Sequence, residues 1–349
     1  MSARSLTTLK RNCLLPLQSL VGEGNFTFSI NTKEGKLFGR TILLEGANDS
    51  QAEAKIRGLT LQGAYVDEAT KVPRDFWVML LSRLRKARAK LFATTNPDAP
   101  SHWLKTEYID RKEKLNMLVM KFLMDDNTTL PSEYVQSIKN EYTGIFYDRF
   151  ILGLWVLAEG LIYSHYRDAI ETPPEEHAEQ YGLSIDYGTM NAFSAGLWGK
   201  YGDVWYRLKE YYYSGRDTGQ QKTDDEYADD LDEFIKGYAN EFTKMRTIID
   251  PSAASFIALL KRRGKYRVTP ADNDVMNGIM ETGRAMHTGK IKISPNCKNT
   301  IRELEGYVWD EKSGEDKPVK VNDHAMDEMR YFVKTMKLCV EKYQWTSKL

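Results

Sequence analysis

Three strand-like runs in the second half of the chain constrain its fold most. Tyr181 to Tyr187, Ala192 to Gly199 and Val204 to Tyr213 follow one another closely, and only Lys200-Tyr201-Gly202-Asp203 separates the last two. A linker that short closes a hairpin, so the three runs are expected as antiparallel neighbours. The pattern then changes period. Helices are expected over Asp224 to Phe242, Ser252 to Arg263 and Asp274 to His287, alternating with strands over Arg246 to Ile249, Tyr266 to Thr269 and Lys290 to Ile293. Lys312-Ser313-Gly314-Glu315 reads as a hairpin, and a last helix starts near Asn322. The order βββαβαβα describes a mixed sheet with helices on both faces.

The first half is also α/β. Phe26 to Ile30 alternates as a strand, Lys33-Glu34-Gly35-Lys36 reads as the turn of a hairpin, and Leu37 to Leu44 as its return strand. Asp49 or Ser50 is placed to cap a short helix over Gln51 to Arg57. Leu61 to Glu68 reads as a short strand that delivers Asp67 and Glu68 at its C-terminal end. Pro73 opens a helix carrying Phe76, Trp77, Leu80, Leu81 and Leu84, and Lys90 to Ala93 is the next strand, ending in Thr94-Thr95-Asn96-Pro97. Residues near 130 to 160 read as a helical connector. Two domains are therefore expected, 1–154 and 155–349.

Composition removes several classes. With 42% hydrophobic residues the chain can build a core, which excludes a disordered tail or a fibre. No apolar run approaches the roughly 20 residues that cross a bilayer, and no secretory signal opens the chain, so no membrane role is expected. Cys13, Cys297 and Cys339 lie too far apart for a zinc ribbon and are odd in number, which fits a reducing compartment. Lys plus Arg equals Asp plus Glu at 49 each, so only local charge informs. Arg83, Arg85, Lys86, Arg88 and Lys90 form one basic run. Lys261, Arg262, Arg263, Lys265 and Arg267 form another. Each is either a solvated helix face or a phosphate-contacting patch. Residues 224–233 are strongly acidic.

Two sets of carboxylates could do chemistry. Asp67 and Glu68 at a strand end suit nucleotide hydrolysis, in which an Asp holds a metal-bound water and a Glu polarises the attacking water; they also suit a helix N-cap. Asp186 lies within a strand, where a carboxylate is costly unless a cation compensates it. Asp250 ends the run Ile248-Ile249. Asp323, His324 and Asp327 open the last helix, with Asp323/Asp327 and His324/Asp327 sharing a face. Asp250 and Asp323 could instead be caps, and His324 merely exposed. If the carboxylates converge, two Mg²⁺ or Mn²⁺ ions would act on a phosphodiester.

The ordered set Gly63 to Ala69, Thr94-Thr95-Asn96-Pro97, Leu154-Trp155-Val156, Ala158-Glu159-Gly160, Asp186-Tyr187-Gly188, Ile249-Asp250-Pro251 and Asp323 to Tyr331 resembles the large terminase subunits of tailed bacteriophages over nearly the whole chain. The resemblance implies a P-loop-type ATPase domain followed by a ribonuclease-H-like nuclease domain that packages and cuts viral DNA. It places Asp67 and Glu68 on the Walker B pair, and Thr95 and Asn96 on the ATP-coupling motif. Asp186, Asp250 and Asp327 fall on the nuclease metal carboxylates, with His324 or Asp323 beside the last. It also implies double-stranded DNA as substrate. Of the two basic runs, the one with Lys261, Arg262, Arg263 and Lys265 is the better candidate for phosphate contacts, because it follows directly from the helix after Asp250. Portal protein and a small terminase subunit are the implied partners, with a ring oligomer during packaging in the host cytoplasm.

One element of the pattern is missing. No GxxxxGK[ST] loop occurs in the chain, so it is expected to enter the family pattern partway through the first domain, and ATP to act only if that segment is supplied. The competing readings are a ribonuclease-H-like resolvase or integrase, and an inactive prophage remnant that only binds DNA or portal.

Overall fold

The computed structural model describes residues 1–48, 51–189, 191–238, 244–313 and 315–339, and divides into two units. The first comprises Met1–Asn127 and Asp148–Leu157; the second comprises Thr128–Tyr147 and Ala158–Leu349. The connector expected near 130 to 160 is thus split: helix Ser132–Glu141 groups with the second unit, while Asp148–Leu157 returns to the first.

The first unit holds strands β1 (Ser2–Ala3), β2 (Phe26–Ser29), β3 (Glu34–Leu37), β4 (Arg40–Leu43), β5 (Glu45–Gly46), β6 (Gly63–Val66) and β7 (Lys90–Ala93). Its helices are α1 (Leu6–Leu9), α2 (Leu15–Val21), α3 (Ala52–Ile56) and α4 (Arg74–Arg83). A parallel sheet runs β5-β1-β6-β7, and β2-β3-β4 form a separate antiparallel meander. The meander corrects one expectation. Of Lys33 to Lys36, expected as the turn of one hairpin, residues 34–36 belong to the middle strand of three. Gly35 lies opposite Phe28, and a Cβ there would press on Thr27 and on the Phe26 and Phe28 side chains, so this glycine makes room rather than a bend. The turn lies at Phe38-Gly39, both at positive φ, as a two-residue hairpin requires. The proposed caps Asp49 and Ser50 lie outside the described residues.

The second unit adds α5 (Ser132–Glu141), the start of α6 (Gly144–Phe150), whose last three residues group with the first unit, β8 (Gln180–Asp186), β9 (Ala192–Tyr201), β10 (Val204–Ser214), α7 (Gly215–Thr218), α8 (Asp224–Phe234) and β11 (Met245–Ile249). It continues with α9 (Ala254–Arg263), β12 (Tyr266–Pro270), α10 (Val275–His287), β13 (Ile291–Ile293), α11 (Lys298–Gly306) and α12 (His324–Met336). The sheet order is β12-β11-β8-β9-β10-β13. An antiparallel meander, β8-β9-β10, with β11 and β12 added parallel beside its first strand, is the ribonuclease-H-like arrangement.

Alternation along β8 decides which side the helices take. Leu183 and Ile185 face a core shared with Tyr227, Leu231, Phe256 and Leu260 of α8 and α9. Gly182, Ser184 and Asp186 point to the other face, where α12 lies. Three details differ from expectation. Helix α8 stops at Phe234, short of Gly237 at a positive φ, and residues 239–242 of the expected helix lie outside the described set. Around the expected hairpin at 312–315 the described residues form a short bridge at Trp309 and Pro318, flanked by backbone bonds from Asp310 to Lys317 and from Val319 to Val308, rather than full strands, and Gly314 is not described. Helix α11 has no counterpart in the sequence reading.

Candidate active site

Helix α12 runs antiparallel to β8, and three rungs join them. Gly182 faces the Phe332 ring, Ser184 Oγ donates to Glu328 Oε1, and Asp186 Oδ2 lies 2.9 Å from His324 Nδ1. Two residues of strand rise about 6.6 Å and four residues of helix about 6 Å, so rungs spaced two on the strand meet rungs spaced four on the helix. Gly182 is glycine because a Cβ would press on Phe332, whose ring stacks on Trp198 at 4.3 Å.

Asp250 reaches the same sheet end from β11. Ile249 pairs with Ile185 in parallel register, so Asp250 follows one step on, level with Asp186 on the neighbouring strand. Its carboxylate is firmly held: Oδ1 accepts from the Ser252 backbone at 2.7 Å, and Oδ2 from Tyr331 Oη at 3.0 Å and Asn273 Nδ2 at 3.1 Å. Burial pushes this carboxyl up, but the bonds from Ser252, Tyr331 and Asn273 outweigh it and hold it below the usual range.

Asp186 is in the opposite situation. Burial raises its carboxyl, the bond from His324 offsets part of this, and the charges of Asp327 and Asp323 raise it further. His324 is itself raised: burial lowers it, but the bond to Asp186 and the charges of Asp186, Glu303 and Asp323 win. Asp327 Oδ1 accepts from Arg330 Nη2 at 2.9 Å. The Lys320 ammonium lies 2.9 Å from Asp327 Oδ2 and 2.8 Å from Asp323 Oδ2. Among the described residues, no three His, Cys, Asp or Glu side chains are gathered into a ready metal cage.

Asp323 stands at the N-cap position of α12, yet its side chain makes no cap bond. Glu303 of α11 does that job: its Oε2 accepts from the Ala325 backbone at 2.6 Å, and its Oε1 from Tyr212 Oη at 2.7 Å. The sequence pattern alone does not single out Glu303, Tyr331, Lys320 or Arg330. Tyr331 and Arg330 lie at helical spacing from His324 and Asp327, which is the signal that could have found them. Glu303 belongs to the unpredicted helix and carries none.

The basic run after Asp250 divides. Arg263 pairs with Asp229 at 2.6 Å and Asp232 at 3.2 Å, and Lys265 with Asp232 at 2.7 Å. The acidic helix α8 therefore takes up half of the candidate DNA contacts. Lys261 and Arg262 are exposed and make no ion pair among the described residues.

In the first unit, Asp67 follows β6, an interior strand of its sheet. Its buried carboxylate accepts from Thr94 Oγ1 at 3.0 Å and Asn12 Nδ2 at 3.4 Å. Glu68 has φ 50°, a left-handed conformation that turns the chain sharply after the strand. Thr95 Oγ1 bonds Thr70 Oγ1 at 2.9 Å, and Asn96 is exposed beside it.

The whole architecture has solved relatives. The large terminase of a thermophilic bacteriophage is 40% identical to this chain and matches with a TM-score of 0.91 over 97% of the chain and 85% of its own length. The chain belongs to the large terminase family. The same phage's large terminase in complex with ADP matches at 39% identity and a TM-score of 0.90, covering 97% of this chain and 86% of that one. Residues 21–149 also match the family model for the phage terminase large subunit. The large terminase subunit of Escherichia phage T5 is 26% identical over 135 residues, which span 37% of this chain and 28% of that protein.

Proposed function

We propose that the second unit is a divalent-metal-dependent endodeoxyribonuclease that cuts double-stranded phage DNA during packaging. The observation that carries this reading is the state of Asp186: a partly buried carboxylate, raised by burial and by Asp327 and Asp323, on the same sheet end as the firmly ionised Asp250. Such crowding of negative charge disfavours the folded chain alone and favours a hard cation. The oxygen donors fit Mg²⁺ or Mn²⁺. Asp186, Asp250 and Asp327 would hold them, with Asp323 and His324 beside them. Bound there, the ions would lower the pKa of a water and stabilise charge on the phosphodiester. The chain's own residues set the stage. Tyr331, Asn273 and Ser252 fix the Asp250 carboxylate, while Lys320 and Arg330 balance Asp327. His324 orients Asp186, and exposed Lys261 and Arg262 are the phosphate contacts.

In the first unit we assign Asp67 to the nucleotide's metal, Glu68 to the attacking water, and Thr95 and Asn96 to coupling. We further propose portal protein and a small terminase subunit as partners, with a ring assembly in the host cytoplasm, a reading that family membership supports. Among the described residues no helix is long and apolar enough to cross a membrane. The deciding experiment is cleavage of supercoiled plasmid with Mn²⁺ or Mg²⁺ by the wild type and by Asp186→Ala. Equal cleavage by both, or none by the wild type, would overturn the assignment.

A further inference from the structure

The middle rung between β8 and α12 contains a buried ion pair. The Arg207 side chain from β10 and the Glu328 side chain from α12 are both fully buried and bonded through Arg207 Nη1 and Glu328 Oε2. Glu328 Oε1 also accepts from Ser184 Oγ, which in turn accepts from Trp198 Nε1 at 2.7 Å. The pair occupies space that β9 vacates: a Cβ at Gly196 would overlap both the Arg207 guanidinium and Glu328 Oε1.

As a source of stability this arrangement is poor. Arg207 Nε and Nη2 have no hydrogen-bond partner among the described residues. Two buried charges cost desolvation that apolar side chains of similar volume would avoid. Apolar contacts, however, do not specify register, because a smooth helix face can slide or rotate on a sheet. A hydrogen-bonded carboxylate has one place to sit. That place is one rung from Asp186–His324 and one residue from Asp327.

We infer that Glu328, held by Ser184 and Arg207, is a positioning residue that sets the register of α12 on β8 and so places His324 and Asp327 against Asp186. The inference rests on the nuclease reading of this centre. The remaining Gly182–Phe332 rung is a van der Waals contact and cannot by itself fix the helix along its axis.

The test uses the full chain and two variants, Ser184→Ala and the double replacement of Arg207→Met with Glu328→Leu. The double variant removes the polar lock and Ser184→Ala removes one of its bonds, and neither leaves a single unpaired buried charge. Thermal midpoint, Mn²⁺ affinity by calorimetry without DNA, and kcat and KM for plasmid cleavage are measured. The double variant should keep its midpoint within about 5 °C. It should lose roughly a hundredfold in kcat with KM for DNA unchanged, as misplacement near 1 Å does. Its Mn²⁺ affinity should fall at least about tenfold, and Ser184→Ala should show the same losses in smaller measure. A folded double variant with wild-type kcat and Mn²⁺ affinity overturns the inference, as does a lowered midpoint with both retained. If the double variant does not fold, Ser184→Ala decides by the same criteria. A wild type that neither cuts plasmid nor binds Mn²⁺ overturns the nuclease reading itself, and the positioning role with it.

Discussion

Glu303 Oε2 accepts a hydrogen bond from the Ala325 backbone N–H at 2.6 Å, so the helix that carries His324 and Asp327 is capped by another helix. The arrangement relieves Asp323 of a capping duty and leaves its buried carboxylate turned toward Lys320. Replacing Glu303 with Ala would orphan both the helix N–H and the Tyr212 hydroxyl. We expect a loss of about 1–3 kcal/mol by denaturant titration.

Asp186→Asn should abolish metal-dependent cleavage without lowering the thermal midpoint at pH 7. The folded chain raises the Asp186 carboxyl, so its charged form opposes folding, and that opposition grows as pH rises from about 3.9 through the raised value. The amide removes the charge and still accepts from His324. A midpoint several degrees below wild type at neutral pH would contradict this.

His324 gives the opposite sign. Its imidazole is raised above its ordinary value by the bond to Asp186 and by nearby carboxylates, against burial. Its contribution is therefore fully present below about pH 6.5 and disappears as pH rises through the folded value. Without metal, His324→Asn should cost on the order of 1 kcal/mol at pH 5.5 and nothing at pH 9. Paired denaturation curves at the two pH values check it.

Charge reversal separates the two halves of the basic run. Lys261→Glu with Arg262→Glu should leave stability unchanged and reduce the salt slope of DNA binding by about 2. Arg263→Glu should instead destabilise by about 1–2 kcal/mol, because it faces Asp229 and Asp232. If Arg263→Glu alters the salt slope while Lys261 and Arg262 do not, the assignment is reversed.

Mg·ATP should bind this 349-residue chain weakly. Asp67 and Glu68 bring negative charge to a negative ligand, and no phosphate-cradling loop of backbone N–H groups occurs in the sequence. Calorimetry giving a micromolar Kd would show that another segment performs that task.

The sheet of the second unit is legible because its signals are local. Tyr181 to Tyr187 alternates, Gly202 closes a hairpin, and Asp274 caps the helix after it. Asp186 stands out because a carboxylate read within a strand has no capping role, although β8 ends at Asp186 itself. What escapes the sequence are partnerships formed at a distance. Arg263 reads as a free cation until α8 is packed against α9, and Glu303 as an ordinary surface acid until it meets the next helix. Residues 33–36 mislead for another reason: a glycine among charges looks like a turn, yet Gly35 is small to admit Phe26 and Phe28.

The two-for-four match between β8 and α12 bears on how the protein tolerates change in length. Single substitutions act on one rung at a time, and the other rungs still hold the helix. One residue inserted between His324 and Phe332 turns everything beyond it by about 100°. His324 and Phe332 could then not both face the strand, whatever the inserted residue is. The span 324–332 should therefore accept many side chains but only one length, a constraint that a scan of insertions would expose and a scan of alanines would miss.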